Sequence, residues 1–259
     1  MKATFWKMSN FALIALVVCG SVATLVAQDV KSACAKADDL IEEGKVGEAR
    51  KALDAAYNTG IKDYDWLWRS SRVTLLQADM ESDNTKKESM YYESKRLADE
   101  SLKLNANGMM GYVRRAAASG KIALTKGVLG AAEQVKSAKE DAEKAIQLNN
   151  ATPQSLAAAH YILGRTHLKL SETAKAKRMM VGLGWGNLDD ALKHLKKAAE
   201  LRSDFVMYNL ELAKALAANS QFADAKATAQ KAASGKDLEP GDAARRNEAS
   251  SLLKEWAAK

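Results

Sequence analysis

The chain has 259 residues, 47% hydrophobic and 27% charged, with a formal net charge of +7. That is a globular composition, long enough for one or two cores. Two prolines and 15 glycines amid abundant Ala, Leu, Lys and Glu, with no alternating Val/Ile/Thr run, exclude a β-protein and predict an all-helical one.

Residues 1–27 stand apart. Lys2 and Lys7 precede an uncharged run from Phe11 to Ala27. A basic start, an apolar middle and small residues at the end predict a secretory signal, cut after Ala27 or Ala23. Two alternatives stay open: a membrane anchor over residues 8–27, or a lipoprotein signal at Cys19, although Val18 is bulky for that box. Cleavage would remove two lysines and no acid, taking the charge from +7 to +5. The remaining Lys and Arg are interleaved with acids along every helix, which predicts solvated faces and no nucleic-acid partner. Past Cys19 only Cys34 remains, on the apolar side of a helix. It is expected buried and inert, with stability coming from packing.

Residues 28–259 read as one domain of helical hairpins. The first pairs Val30–Glu43 with Glu48–Tyr57, turning at Gly44 and closing at Asn58-Thr59-Gly60. The second opens at Asp63-Tyr64-Asp65, loops at Glu81-Ser82-Asp83-Asn84 and returns over Tyr91–Leu104. The third runs Met109–Leu124 and Ala131–Leu148. Thr152-Pro153 is an N-cap and first-turn pair for the fourth, His160–Leu170 and Leu188–Leu201. The fifth is Val206–Ala218 and Phe222–Ala233. A charged last helix, Ala243–Ala257 with Trp256, suits a cap with one wet face.

The second helices carry small residues on one face: Ala49, Ser94, Ala138, Ala191 and Ala225. Their spacings are 45, 44, 53 and 34, and only the last is the standard tetratricopeptide period. The expected fold is therefore an α-α superhelix of about five degenerate tetratricopeptide-like hairpins. A solenoid repeat cannot bury its face alone, so no internal boundary is expected.

Several motifs fall in one order: Trp66-Leu67-Trp68-Arg69, Lys144-Ala145-Ile146-Gln147-Leu148, Leu163-Gly164-Arg165, the insertion 174–186, and Ala191 with Leu195 and Ala198. In that order, over roughly residues 30–257, the chain resembles the regulator of microtubule dynamics family, as an exported bacterial member. It departs from the family's pattern at Ala106 and Asn150, where proline usually follows the return helix. The resemblance implies an interaction module rather than an enzyme, with relatives tethered to membranes or holding lipids. For an exported bacterial protein the microtubules of the family's name do not carry over.

No catalytic, cofactor or metal signature emerges. His160 and His167 lie about 10 Å apart along one helix, too far for two ligands of one zinc, and are expected in core or groove. Gly182 to Gly186 resembles a phosphate loop, but no strand precedes it and no Lys-Ser/Thr follows. It is read as a flexible insertion ending at an Asn187 cap. Met179, Met180, Val181, Leu183 and Trp185 with Lys175, Lys177 and Arg178 would pack it on its own repeat, or make it a lid or a membrane contact.

The aromatics Trp66, Trp68, Tyr91, Tyr92 and Tyr112 either fill the core or line a groove. Trp66 and Trp68 are two apart, so one is expected inside and one in the groove. Arg69, Arg72, Arg114, Arg115 and Arg165 are candidates to meet a carboxylate or phosphate, with surface ion pairing as the competing reading. The expected groove set is Trp66, Trp68, Arg69, Tyr112, Arg115, His160, Arg165, His167, Met180 and Trp185.

The expectation for function is a monomeric, non-enzymatic scaffold of the bacterial envelope, periplasmic or secreted, binding a protein or peptide on its concave face. The alternative is a carrier for a lipid or acyl chain.

Overall fold

The computed structural model describes residues 29–57, 63–127, 129–148 and 150–259. The leader of residues 1–27, with Cys19, and the cap at 58–60 lie outside them. The described residues form twelve helices and no strand. They are α1 (29–42), α2 (Val46–Tyr57), α3 (Tyr64–Met80), α4 (Asn84–Leu104), α5 (Met109–Lys126), α6 (Ala132–Gln147), α7 (Pro153–Ser171), α8 (Lys175–Met179), α9 (Leu188–Leu201), α10 (Val206–Ala218), α11 (Phe222–Ala233) and α12 (Asp242–Glu255).

The expected five hairpins are α1/α2, α3/α4, α5/α6, α7/α9 and α10/α11, with α12 as the cap. From α3 to α11 the hairpin partners α3/α4, α5/α6, α7/α9 and α10/α11 pack on each other, and each hairpin packs on the next, which makes a superhelix. The small residues explain the stacking. Ala49, Ser94, Ala138, Ala191 and Ala225 are all fully buried. Ser94 stands in for alanine because its hydroxyl is satisfied: it donates to Ser71 O at 2.9 Å, and Ser71 Oγ donates to Ser94 O at 2.7 Å. Gly164 lets α7 and α9 come closest. A Cβ there would lie 2.6 Å from Leu195 Cγ and 2.9 Å from the Leu195 backbone N.

Helix starts follow local capping chemistry. Asp63 accepts from the N–H groups of Asp65 and Trp66, and Thr152 and Ser155 form a capping box ahead of Pro153 at the first turn. Two helices begin a turn or more before the apolar periodicity does. α4 starts at Asn84, not Tyr91, because Asp83 caps it by accepting from Lys86 N. α7 starts at Pro153, as the Thr152-Pro153 pair predicts, ahead of the apolar run that begins at His160.

Helix ends repeat one device. The N–H of Lys45 reaches back to Leu40 O while Gly44 takes a φ of 75°. Gln221 N–H reaches Leu216 O in the same way, with Ser220 in the left-handed region at φ 58°.

The insertion is ordered, correcting the expectation of a flexible segment. Arg178 is buried, and its guanidinium donates to the carbonyls of Thr173 and Gly186 at 2.8 and 2.5 Å. Leu183 is fully buried with Ala123, Ala131, Val135 and Leu170. The segment thus packs on its own repeat and the preceding hairpin. Arg178 serves the loop's own carbonyls rather than any surface. Cys34 is buried, and burial pushes its thiol up to about 11.

Candidate functional site

The first helix of each hairpin faces inward. Together α1, α3, α5, α7, α10 and the α12 region line a concave groove of about 960 Å³, a volume within the usual range for ligand sites. The helical phase selects which side chains reach it. In α3 these are Trp68, Arg72, Leu75, Leu76 and Asp79; in α5, Val113, Arg114, Ala117 and Lys121; in α7, Tyr161, Ile162 and Arg165.

Opposite ends of the chain meet across the groove. Arg72 Nη2 donates to Glu239 Oε1 at 3.0 Å, a pair 167 residues apart in sequence, and Asp38 of α1 lies 3.9 Å from Arg72. Most charged groups on the wall are paired. Lys121 Nζ donates to Asp79 at 2.6 and 2.7 Å, Lys214 bridges Glu211 and Glu248, and Arg165 lies 3.8 Å from Glu211.

Arg114 is different: no carboxylate lies within ion-pair distance of it among the described residues. Its guanidinium sits 5.9 Å from the centre of the Trp68 ring. Burial, reinforced by the Arg72 charge, draws it down to about 10, which still leaves it cationic at neutral pH. The Nε atoms of Arg72, Arg114 and Arg165 are buried without a hydrogen-bond acceptor in the protein. Tyr161 and Tyr208 pack beside them with tilted rings, 4.9 Å between centroids, and burial raises both phenols, Tyr161 to about 12. The groove therefore combines an apolar, aromatic wall with arginine donors, which suits a ligand that is apolar along its length and anionic at one point.

Of the ten residues expected to line the groove, Trp68 and Arg165 do so. Trp66 is core, its indole N–H donating to Leu53 O at 2.7 Å. Arg69 stacks over Trp68 at 4.0 Å and bonds Asp38 and Asp65, beside the groove but outside its lining. Tyr112 donates to Ala106 O, and Arg115 ties Asp99 to Asp141 across α4, α5 and α6. His160 and His167 point at α9 and the insertion. The Nδ1 atoms of His160 and His194 are 2.8 Å apart, and His167 packs edge-on against Trp185. Met180 is on the outer rim, 87% exposed. No part of the insertion lines the groove. Sequence reasoning named Arg72 and Arg114 as cationic candidates but left them out of the groove set. The signal was present as phase: Trp68, Arg72, Leu75 and Asp79 recur at steps of four, three and four.

An array of paired helices with small residues at the contacts and a lined concave face defines a tetratricopeptide-like solenoid scaffold. Solved structures agree with that class. A thermophilic TPR protein of Thermus thermophilus superposes with a TM-score of 0.61 at 16% identity, covering 86% of this chain and 98% of its own. Pseudomonas aeruginosa pilF does so with a TM-score of 0.53 at 12% identity, covering 90% and 89%. The sequence profile of the family described as "Regulator of microtubule dynamics protein 1-3" matches residues 33–257. The chain belongs to that family. It is 26% identical over 186 residues to regulator of microtubule dynamics protein 3 of Mus musculus and 25% to that of Rattus norvegicus. Those matches cover 69% of this chain and 38% of each relative, so the chain spans well under half their length.

Proposed function

We propose that this protein is a non-enzymatic scaffold of the cell envelope whose concave groove binds an extended segment of a partner protein. The observation that carries this is Arg114: a cation held in an apolar wall beside Trp68 with no acid of its own. A partner's acidic side chain or terminal carboxylate would supply that acid, while its apolar side chains rest on Leu75, Val113 and Ile162. The envelope location rests on the export signal read in residues 1–27.

The test is a display selection of peptides on the full chain and on Arg114→Gln. Acidic peptides enriched by the first and lost with the second support the reading. Enrichment indifferent to charge and to Arg114 refutes it.

The groove's volume favours one alternative, an acyl chain with an anionic head at the same arginines. Native mass spectrometry of the purified protein distinguishes them, because a carrier retains a lipid mass and a peptide-binding scaffold does not.

A further inference from the structure

Seven large apolar side chains are exposed among the described residues, and contacts made by the residues beside six of them place those six toward one edge of the superhelix. The six are Met80, Tyr92, Leu124, Leu129, Met179 and Met180. Contacts between their neighbours bring them together. Asp79, beside Met80, accepts both Lys121 bonds, which joins the end of α3 to α5. Lys126 Nζ lies 2.6 Å from Tyr92 Oη, which adds the first half of α4. Ala123, beside Leu124, and Ala131, two residues past Leu129, pack with Leu170 and Leu183, which adds the end of α7 and the insertion. The seventh, Leu104, sits 12 residues beyond Tyr92 on α4, roughly 18 Å further along that helix.

The insertion holds its two methionines outward by the way its interior is fixed. Arg178 and Leu183 are buried and anchor the loop, yet Met179 and Met180, between them in sequence, are 60% and 87% exposed. Unbranched, adaptable methionines suit a fluid surface better than a fixed one. Residues 173–187 contain Lys175, Lys177 and Arg178 and no acid. Among the acids around the loop, Glu133 pairs with Lys136, Glu172 pairs with Lys169, and Asp190 accepts from the Asn187 amide. Lys175 and Lys177 are exposed and have no ion-pair partner among the described residues.

We infer that this rim is a docking surface for an anionic lipid bilayer, with Met179 and Met180 entering the headgroup boundary and Lys175 and Lys177 meeting lipid phosphates. Apolar side chains interleaved with unpaired lysines are what an anionic interface attracts. A second copy of the chain fits less well, because two-fold pairing of this rim would bring the same lysines face to face. The rim borders the groove at Leu124, whereas Met179, Met180, Lys175 and Lys177 lie outside the groove's lining, so the inference stands whichever ligand the groove takes.

The test places an environment-sensitive fluorophore on the full chain through Met180→Cys, and in a second protein through Leu104→Cys. Both carry Cys19→Ser, and the buried Cys34 stays unlabelled. Vesicles of equal parts phosphatidylglycerol and phosphatidylcholine are added. Emission at position 180 is expected to shift to the blue and rise severalfold, with position 104 unchanged. Lys175→Gln with Lys177→Gln should weaken vesicle partitioning roughly fivefold per lysine. No shift at 180, equal shifts at both positions, or partitioning indifferent to the lysines would overturn the inference. A shift at 180 without vesicles would assign the rim to a second copy instead. Reporting position by position separates rim docking from any membrane affinity of residues 1–27.

Discussion

Gly164→Ala tests the packing on which the superhelix depends. The new methyl would stand 2.6 Å from Leu195 Cγ, 2.9 Å from Leu195 N and 3.1 Å from Ala191 O. Carbon atoms in contact prefer about 3.5–4.0 Å, so the shortfall against the side chain is about 1 Å. Leu195 is fully buried and cannot swing away, and two of the three obstacles are backbone. α7 and α9 must move apart, an overpacking cost of about 3 kcal/mol at this degree of clash. Alanine's better helix propensity returns about 1 kcal/mol, leaving a net loss of about 2 kcal/mol. Gly120 provides the control. It lies inside α5 with nothing within 4 Å of where a methyl would stand, so Gly120→Ala should gain about 0.5–1 kcal/mol. At about 2–4 °C per kcal/mol for a domain of this size, thermal unfolding should show Gly164→Ala lower by roughly 4–8 °C and Gly120→Ala higher by roughly 1–4 °C. Equal shifts, or a Gly164→Ala protein as stable as the parent, would refute the idea that hairpins meet through small residues.

Four further outcomes follow from particular contacts. Ser220→Gly should stabilise the chain by about 0.5–1 kcal/mol in urea unfolding, because Ser220 holds the left-handed turn that Gly44 fills in the first hairpin. Arg178→Met should leave the carbonyls of Thr173 and Gly186 unsatisfied, and limited proteolysis should then cut within residues 174–186 while the parent resists. The three histidines make stability fall with acid. Burial holds His160 and His167 down to about 4 and lowers His194, against an unfolded value of 6.5. His160 and His167 therefore contribute fully above about pH 6.5, and their contribution is lost as the pH falls from there toward about 4, with His194 acting in the same direction. Lys193 and Lys197 on α9 reinforce the lowering at His160, while Asp190 and Glu143 oppose it at His167. The melting temperature should drop between about pH 7 and about pH 5, and less so in His160→Gln/His194→Gln. Arg72→Gln and Glu239→Gln should show a coupling of about 1 kcal/mol in a double-mutant cycle, since their pair is only partly exposed and joins the two ends of the array.

The fold was legible because its causes are local. Ala138, Ala191 and Ala225 sit on one face of their helices, and Asp63, Thr152 and Asn187 sit where caps must be. The early start of α4 was missed because its first turns lack the apolar period and only the Asp83 cap marks it, whereas the Thr152-Pro153 pair marked the start of α7. The site was less legible. Tyr112, Arg115, His160 and His167 belong to inward-lining helices but lie on their other faces, where they join α4, α6 and α9. Choosing by residue type favoured them, whereas helical phase would have favoured Arg72 and Arg114. The Arg72–Glu239 pair had no sequence signal, because it depends on how far the array curves. The insertion's order had none either, because it depends on one arginine turning inward to its own carbonyls.

The claim that matters most is that the concave face carries the ligand. A photo-reactive amino acid placed at Met110, on the groove wall, and separately at Lys231, on the exposed outside of α11, addresses it in living cells. The account predicts one discrete cross-linked adduct from position 110, diminished by Arg114→Gln, and none from position 231. An adduct from 231 alone, or one from 110 unaffected by Arg114→Gln, would contradict it.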